Sequence, residues 1–369
     1  LSQELHVNPE YPVDLPYRKI LDHGFVALID VMGTDASIVQ AARVSYGKGT
    51  KTVRTDKALI GYLMRHGHNT PLEMVEFKFL MRIPLFIARQ VIRHRTASVN
   101  EYSARYSVVP DRFFVPSLGA ISSQDRVNRQ GRTDLLRELA EQLPERDEPC
   151  AYFSGERAVL VNEEGVGISL AALFVHEHRA AFAGTPDALP SETYIECAER
   201  LLGLFPERRA ELEVIRALYR ENNERCYALY QQCLERGVAR EIARCVLPLS
   251  MYTEWYWKID LHNLFHFLRL RLDSHAQLEV RALAEAMATF VKPQVPFAWE
   301  AFEENRVEGT FLSAQEMAAM RPVDDAAQRE LLVSLFERGF PRMRLKEFCR
   351  KLDFDDRIVD ELWPPNTKR

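Results

Sequence analysis

The stretch from Arg93 to Ser107, RHRTASVNEYSARYS, constrains the fold more than any other part of this chain. It gathers Arg93, Arg95 and Arg105 with His94, Ser98, Asn100, Ser103 and Ser107, and Glu101 is its one acid. Guanidinium forks bind phosphate and carboxylate in bidentate fashion, and hydroxyls complete such a cradle. A solvated basic loop has a similar composition, so the context matters. Pro84 suits the first turn of a helix carrying Phe86, Ile87, Val91 and Ile92. Gln90 and Arg93 stand three apart on it and are expected to share a face. The helix then gives way to a serine-rich loop. Binding groups just past a rigid scaffold suit a phosphate ligand.

The remaining composition bounds the class. At 369 residues, 47% hydrophobic and 27% charged, the chain reads as a soluble globular protein of one large or two ordinary domains. No run of about eighteen apolar residues occurs, so no membrane helix is expected. The N-terminal stretch LSQELHVNPEYPVDLPYRK lacks a basic-then-apolar signal pattern. The net charge of -5 does not advertise nucleic-acid binding. Yet six arginines and only two acids, Glu101 and Asp111, lie between Arg82 and Arg112. A positive pocket on an acidic protein suits a small anionic substrate. The six cysteines, at 150, 197, 226, 233, 245 and 349, form no CxxC pair. Neither a zinc site nor a disulfide framework is indicated, and a reducing cytoplasm is the simplest location. His176-Glu177-His178 lacks the HExxH spacing and reads as structural or solvated.

Periodicity gives a coarse order of elements. Phe25 to Val31 reads as a buried strand. Thr55-Asp56 can cap a helix running to His66, with Leu59, Ile60, Leu63 and Met64 inward and Gly67 as its stop. Val75, Phe77, Phe79 and Met81 alternate with Glu76, Lys78, Leu80 and Arg82 in a half-buried strand. A polar stretch, SSQDRVNRQGRTD, precedes a hairpin around Glu163-Glu164-Gly165 and further helical patterns. Leu212, Ile215, Tyr219, Cys226, Tyr230 and Cys233 mark a long amphipathic helix that Gly237 ends. A second long helix is expected from Asp260, as N-cap, to beyond Phe290, with Leu261, Leu264, Phe265, Leu268 and Leu272 as its stripe. His262 and His266 share a polar face of it, as do Arg271 and His275. No GxGxxG or GxxxxGK[ST] loop is present, and Gly165-Val166-Gly167 lacks the third glycine.

Several further motifs accompany the arginine segment: ARVSYG (Ala42 to Gly47), HGHNTPLE (His66 to Glu73), ARQVIRHR (Ala88 to Arg95), ARCVLPLSMYTEWYW (Ala243 to Trp257) and LRLRLDSHAQLE (Leu268 to Glu279). Together, and in this order, they resemble flavin-dependent thymidylate synthase. The resemblance covers roughly residues 20 to 118 and 215 to 305, and ordered motifs are more specific than any one alone. It implies an α+β fold, a mixed sheet with long helices. The expected layout is residues 1-118 and 211-310 as the two parts of a catalytic domain. Residues 119-210 form a largely helical insertion and 311-369 a C-terminal extension.

The same resemblance implies a chemistry. dUMP would be methylated to dTMP with methylenetetrahydrofolate as carbon donor. FAD, reduced by NADPH, would return a hydride to the methylene group on uracil C5. The family assembles as a homotetramer with active sites between subunits; neither a nucleic-acid nor a membrane partner is expected, nor a metal. Carried across position by position, Gln90, Arg93, Glu101, Ser103, Ala104, Arg105, Arg244 and Arg271 match the dUMP-binding set, Ala104 through its backbone. His68, Thr70, Glu73, Arg93, His94, Arg95, Glu101, Asp260, His262 and His266 match the FAD-binding set. Arg271 carries the chemical step. Met74 stands where many relatives have His, and His262 and His266 replace residues often Arg and Asn, which weakens the expected grip on FAD.

The residues make physical sense of that assignment. Arginines neutralise a phosphate dianion without titrating. Uracil C5 is a poor nucleophile, activated either by a thiolate at C6 or by stabilising negative charge on the N3/O4 edge. A fixed guanidinium in a dry pocket can do the second, as an oxyanion hole does. Pro149-Cys150 superficially resembles the Pro-Cys nucleophile of the unrelated cysteine-dependent thymidylate synthases. The acids Glu145, Asp147 and Glu148 beside it should suppress its thiolate. Arg244 has an alternative reading as a helix-end salt bridge with Glu241, and His68 and His94 as hydrogen-bonded structural histidines. Two rival functions remain: methylation of another uridine, such as one within RNA, and a non-catalytic nucleotide-binding paralogue.

Overall fold

The computed structural model describes residues 15–44, 55–124, 131–142, 190–273, 275–309, 313, 315, 325–352 and 354–362, together with the backbone of three short strands at 151–154, 157–161 and 167–168. In chain order the elements are β1 (Tyr17–Ile20), β2 (Gly24–Met32), α1 (Asp35–Val44), α2 (Asp56–His66), β3 (Glu76–Pro84), α3 (Leu85–Val91) and β4 (Ser98–Glu101). They continue with α4 (Leu135–Glu141), β5 (Ala151–Ser154), β6 (Arg157–Val161), β7 (Gly167–Ile168), α5 (Ser191–Leu202) and α6 (Pro206–Glu235). Then come β8 (Tyr252–Asp260), α7 (Leu261–Arg271), α8 (Leu278–Gln294) and α9 (Pro296–Phe302). Last are α10 (Asp325–Glu337), α11 (Arg342–Leu352) and α12 (Arg357–Leu362).

Alternation decides the sheet. Phe77, Phe79 and Met81 of β3 and Trp255, Trp257 and Ile259 of β8 are buried, while Glu76, Lys78, Glu254 and Lys258 between them stay half-exposed. The buried rows meet the apolar faces of α7, α8 and α9, including Leu264, Phe267, Leu283, Met287 and Phe302, in one core. Burying each such side chain contributes roughly 1.5–3 kcal/mol. On the other face Lys258 reaches diagonally to Glu76 at 2.9 Å, a cross-strand pair. The order is β1-β2-β3-β8-β4, and every neighbouring pair is antiparallel rather than mixed in direction. Met32 at the end of β2 lies opposite Glu76 at the start of β3, and Pro84 at the end of β3 opposite Tyr252 at the start of β8, while β4 runs in the direction of β3 on the far side of β8.

Local signals explain the α2 boundaries. Thr55 caps the helix, its side chain accepting from the Ala58 N–H, and Gly67 ends it at φ 68, a left-handed turn that glycine adopts without strain. The long helix expected from Asp260 is two helices. Asp260 is the N-cap, accepting from the Asn263 N–H, but α7 stops at Arg271 and α8 starts at Leu278. At the break the Asp273 carboxylate accepts from the His275 N–H at 2.9 Å, a local bond that competes with the helix. His275 also pairs with Asp273 through its ring at 3.0 Å, so it does not share a helical face with Arg271.

The hairpin expected around Glu163–Gly165 appears in the backbone as β6 against β7, with β5 added beside it. Cys150 and His176-Glu177-His178 lie outside the described residues. On either side of this region α4 and α5 form a small core of Leu135, Leu139, Tyr194, Ala198 and Leu201 with Leu118, Leu212 and Leu278. Gly119 permits it, because a Cβ there would lie 2.6 Å from the Ile195 carbonyl oxygen. The chain divides into two compact units, Leu1–Val307 and Glu308–Arg369. The second holds α10, α11 and α12 around Leu332, Leu345, Cys349 and Val359. No helix among the described residues is long and apolar enough to cross a membrane.

Candidate functional site

The arginine segment leaves α3 earlier than the sequence predicts. That helix ends at Val91, so Arg93 lies past its C-cap and does not continue a helical face with Gln90. Nor is the following segment all loop. Ser98 to Glu101 add as the edge strand β4, with Ser98 opposite Lys258 and Glu101 opposite Trp255. Arg93 and Arg95 are exposed, and no side-chain hydrogen bond or ion pair ties them to another described residue. The same holds for Arg244. Their charge is open to an anion.

Past β4 the chain turns tightly. Ser103 accepts from the Tyr106 and Ser107 N–H groups through its carbonyl and from the Arg105 N–H through its hydroxyl. Ala104 is buried against Ala243, Val109 and Tyr230. That contact brings Ser103 to Arg105 beside the short helical turn that ends at Ala243, next to Arg244. Glu241 pairs with Arg105 at 2.8 Å, not with Arg244, and Arg240 donates to the Tyr106 carbonyl at 2.7 Å. A cavity of about 530 Å³ opens here, lined by Arg105, Tyr106, Leu234, Gly237, Arg240 and Glu241 among others. Glu101 is held by the buried Thr253, whose hydroxyl donates to it at 2.7 Å.

A second group forms where α3 and α7 end. The Gln90 amide donates to the Gln277 side-chain oxygen at 2.6 Å. Arg271 Nη2 lies 3.4 Å from His94 Nε2. The His94 ring stands edge-on to Phe267, centroids 5.0 Å apart, and is tilted 5.6 Å from His266. Burial first, then the charges of Arg271 and His266, pull His94 from 6.5 down to about 4. It is therefore neutral near pH 7, and so accepts from the permanently charged arginine. His266 is also lowered, by burial and then by Arg269, His262 and Arg271. Burial depresses Arg271 as well, and its Nε is sealed from solvent with no acceptor among the described residues. No hydrogen bond or ion pair among the described residues joins this group to the one around Ser103 and Arg105.

The candidate flavin residues sit at the entrance to β3 and along α7. His68, Thr70 and Met74 line a cavity of about 920 Å³ with Ser37, Gln40, Tyr62 and others. Glu73 is exposed in the same turn. The Tyr62 and His68 rings are nearly parallel, 17° between planes and 5.9 Å between centroids. A wide cavity with a stacked aromatic pair in its lining fits a planar aromatic cofactor. The turn leads into β3 where Glu76 faces Asp260. From there α7 carries Asp260, His262 and His266 toward Arg271, a rise of roughly 16 Å at 1.5 Å per residue. The Asp260 carboxylate is engaged by the Asn263 N–H and side-chain amide.

The sequence reading missed Gln277, Thr253, Tyr62 and the Glu241–Arg105 pair. Gln277 and Thr253 lie inside quoted motifs, but their partners are far apart in sequence, and nothing local announces such contacts.

Fold and site together define a class: an α+β protein with exposed guanidinium groups suited to a small anion and a cavity with stacked aromatic residues suited to an aromatic cofactor. A family model described as "Thymidylate synthase complementing protein" matches residues 27–152 and 172–297. The chain is 42% identical over 332 residues to the flavin-dependent thymidylate synthase of Ruegeria pomeroyi, covering 87% of this chain and 86% of that one. It is 41% identical over 343 residues to that of Thermus thermophilus, covering 93% and 97%. Among solved structures, the UMP/dUMP methylase PolB from Streptomyces cacaoi, bound with 5-Br UMP, aligns with a TM-score of 0.50 at 28% identity, over 78% of this chain and 96% of that one. The chain belongs to the flavin-dependent thymidylate synthase family. Its activity is that of a flavin-dependent, methyl-transferring thymidylate synthase.

Proposed function

We propose that this enzyme converts dUMP, methylenetetrahydrofolate, NADPH and a proton to dTMP, tetrahydrofolate and NADP⁺, with FAD as its resident flavin. The observation that carries the reading is Arg271. A guanidinium whose buried Nε–H has no acceptor among the described residues is incomplete, because such a donor costs roughly 1–3 kcal/mol. A uracil carbonyl supplies the missing acceptor, and negative charge developing on the N3/O4 edge strengthens that bond. Arg271 thus raises the nucleophilicity of C5 without a thiolate. Arg93, Arg244 and Arg105 hold the phosphate, with the Ser103 turn and the Ala104 backbone, and Gln90 and Glu101 complete the dUMP contacts.

FAD, when bound, supplies hydride transfer. The cavity at His68 and Thr70, together with Glu73, Arg93, His94, Arg95, Glu101, Asp260, His262 and His266, would hold it. NADPH and the folate rest on family membership. So does the homotetramer, which the exposed apolar positions Val214, Leu218 and Leu229 of α6 support. With the active site between subunits, the two groups of dUMP residues would meet across chains. The free cysteines among the described residues support the cytoplasm as its location.

Release of tritium from [5-³H]dUMP tests the reading, with FAD, NADPH and methylenetetrahydrofolate present and each omitted in turn. The reading predicts release that requires all three. [5-³H]UMP in parallel asks whether a 2′-hydroxyl is accepted. A flavin-loaded, folded enzyme that releases nothing from dUMP would contradict the reading.

A further inference from the structure

We propose that His94 is the positioning residue for Arg271: its neutral imidazole accepts a hydrogen bond from Arg271 Nη2 and fixes the plane of the guanidinium. This rests on the role proposed for Arg271 above. The contact is 3.4 Å, between Arg271 Nη2 and His94 Nε2. An arginine only donates, so Nε2 must be the bare nitrogen and the proton must sit on Nδ1. The charges facing the ring are cationic or neutral: Arg271 itself and His266, with Arg269 and His262 behind His266. That surrounding disfavours an imidazolium and keeps the acceptor available.

The ring is anchored in turn. Its edge-on contact with Phe267 passes to Trp257, 5.3 Å from Phe267 at 64°, and both are fully buried. A rigid acceptor therefore stands at one end of the guanidinium. Nε, which has no acceptor among the described residues, remains for a ligand. Without His94, Arg271 keeps its charge but loses its fixed orientation, which is what transition-state stabilisation requires.

His94→Phe keeps a ring against Phe267 and removes the acceptor; His94→Gln places an amide oxygen where Nε2 stood and restores it. Both are made in the wild-type and Arg271→Ala backgrounds. Tritium release and dUMP affinity by calorimetry are read on flavin-loaded protein. The expected result is a roughly ten- to hundredfold loss of release at saturating dUMP for His94→Phe. His94→Gln should recover most of it. His94→Phe should add no further loss of release or affinity to Arg271→Ala. Multiplying losses would overturn the proposal, as would full activity of His94→Phe, or a loss cured by excess FAD, which would make His94 a flavin ligand only. If the wild type itself releases no tritium, the functional reading fails. The affinity cycle then decides the His94–Arg271 coupling by itself, non-additive losses supporting it and additive ones overturning it.

Discussion

At the scale of single residues, the site sets charged donors against one neutral acceptor. Because the guanidinium is a planar fork, Arg271→Lys should fail nearly as completely as Arg271→Ala while both proteins stay yellow. Visible absorption and turnover on the same samples check this. His94 also sets a pH dependence. Its folded value of about 4 lies below the ordinary 6.5, so the unfolded chain binds more protons in between. Its contribution to stability is complete above pH 6.5 and is lost as pH falls through 4; the lowered His266 acts with the same sign. Urea midpoints measured from pH 7 to pH 4 should fall less steeply for His94→Gln than for the wild type. The Glu241–Arg105 pair is about half exposed on both sides and contributes roughly 0–1 kcal/mol. Glu241→Gln should leave stability unchanged and lower the KM for dUMP a few-fold by freeing Arg105.

At the scale of elements, the sheet depends on its buried rows and on a buried arginine paired across β3 and β8. Arg82 has 3% of its side chain exposed and meets Glu254 at 2.7 Å, with Phe25 stacked 4.8 Å away. Arg82→Ala leaves Glu254 unpaired and should cost about 3 kcal/mol, the low end for such a break because Glu254 keeps contact with water. Chemical denaturation reads this directly. Much of this scale is legible in the sequence. The Thr55 cap, the Gly67 stop and the alternation through Phe77, Phe79 and Met81 are each local signals, and each lies where the chain predicts. What is not legible depends on partners. Ser98–Glu101 has four exposed residues and no apolar alternation, so only β8 makes it a strand. In β8 the outward Tyr256 blurs the contrast between faces. The apolar stripe past Leu272 continues in helical register, and the Asp273 turn breaks it with bonds no periodicity reveals.

At the scale of the molecule, the motifs quoted from Arg93–Ser107, Ala243–Trp257 and Leu268–Glu279 come from separate stretches of chain. The fold brings them to two groups: Ser103, Ala104 and Arg105 beside Arg244, and Gln90 and His94 beside Gln277 and Arg271. If the site is completed between chains, as proposed, activity requires assembly. Leu218→Glu on the exposed face of α6 should shift the enzyme to smaller species by sedimentation and reduce activity in proportion.

In the proposed reaction a guanidinium, not a thiolate, activates the uracil. The most direct test is tritium release from [5-³H]dUMP by Arg271→Ala and Cys150→Ala, measured side by side with the wild type. Cys150→Ala should release tritium at the wild-type rate, and a flavin-loaded Arg271→Ala should release none. An inactive Cys150→Ala beside an active Arg271→Ala would contradict this.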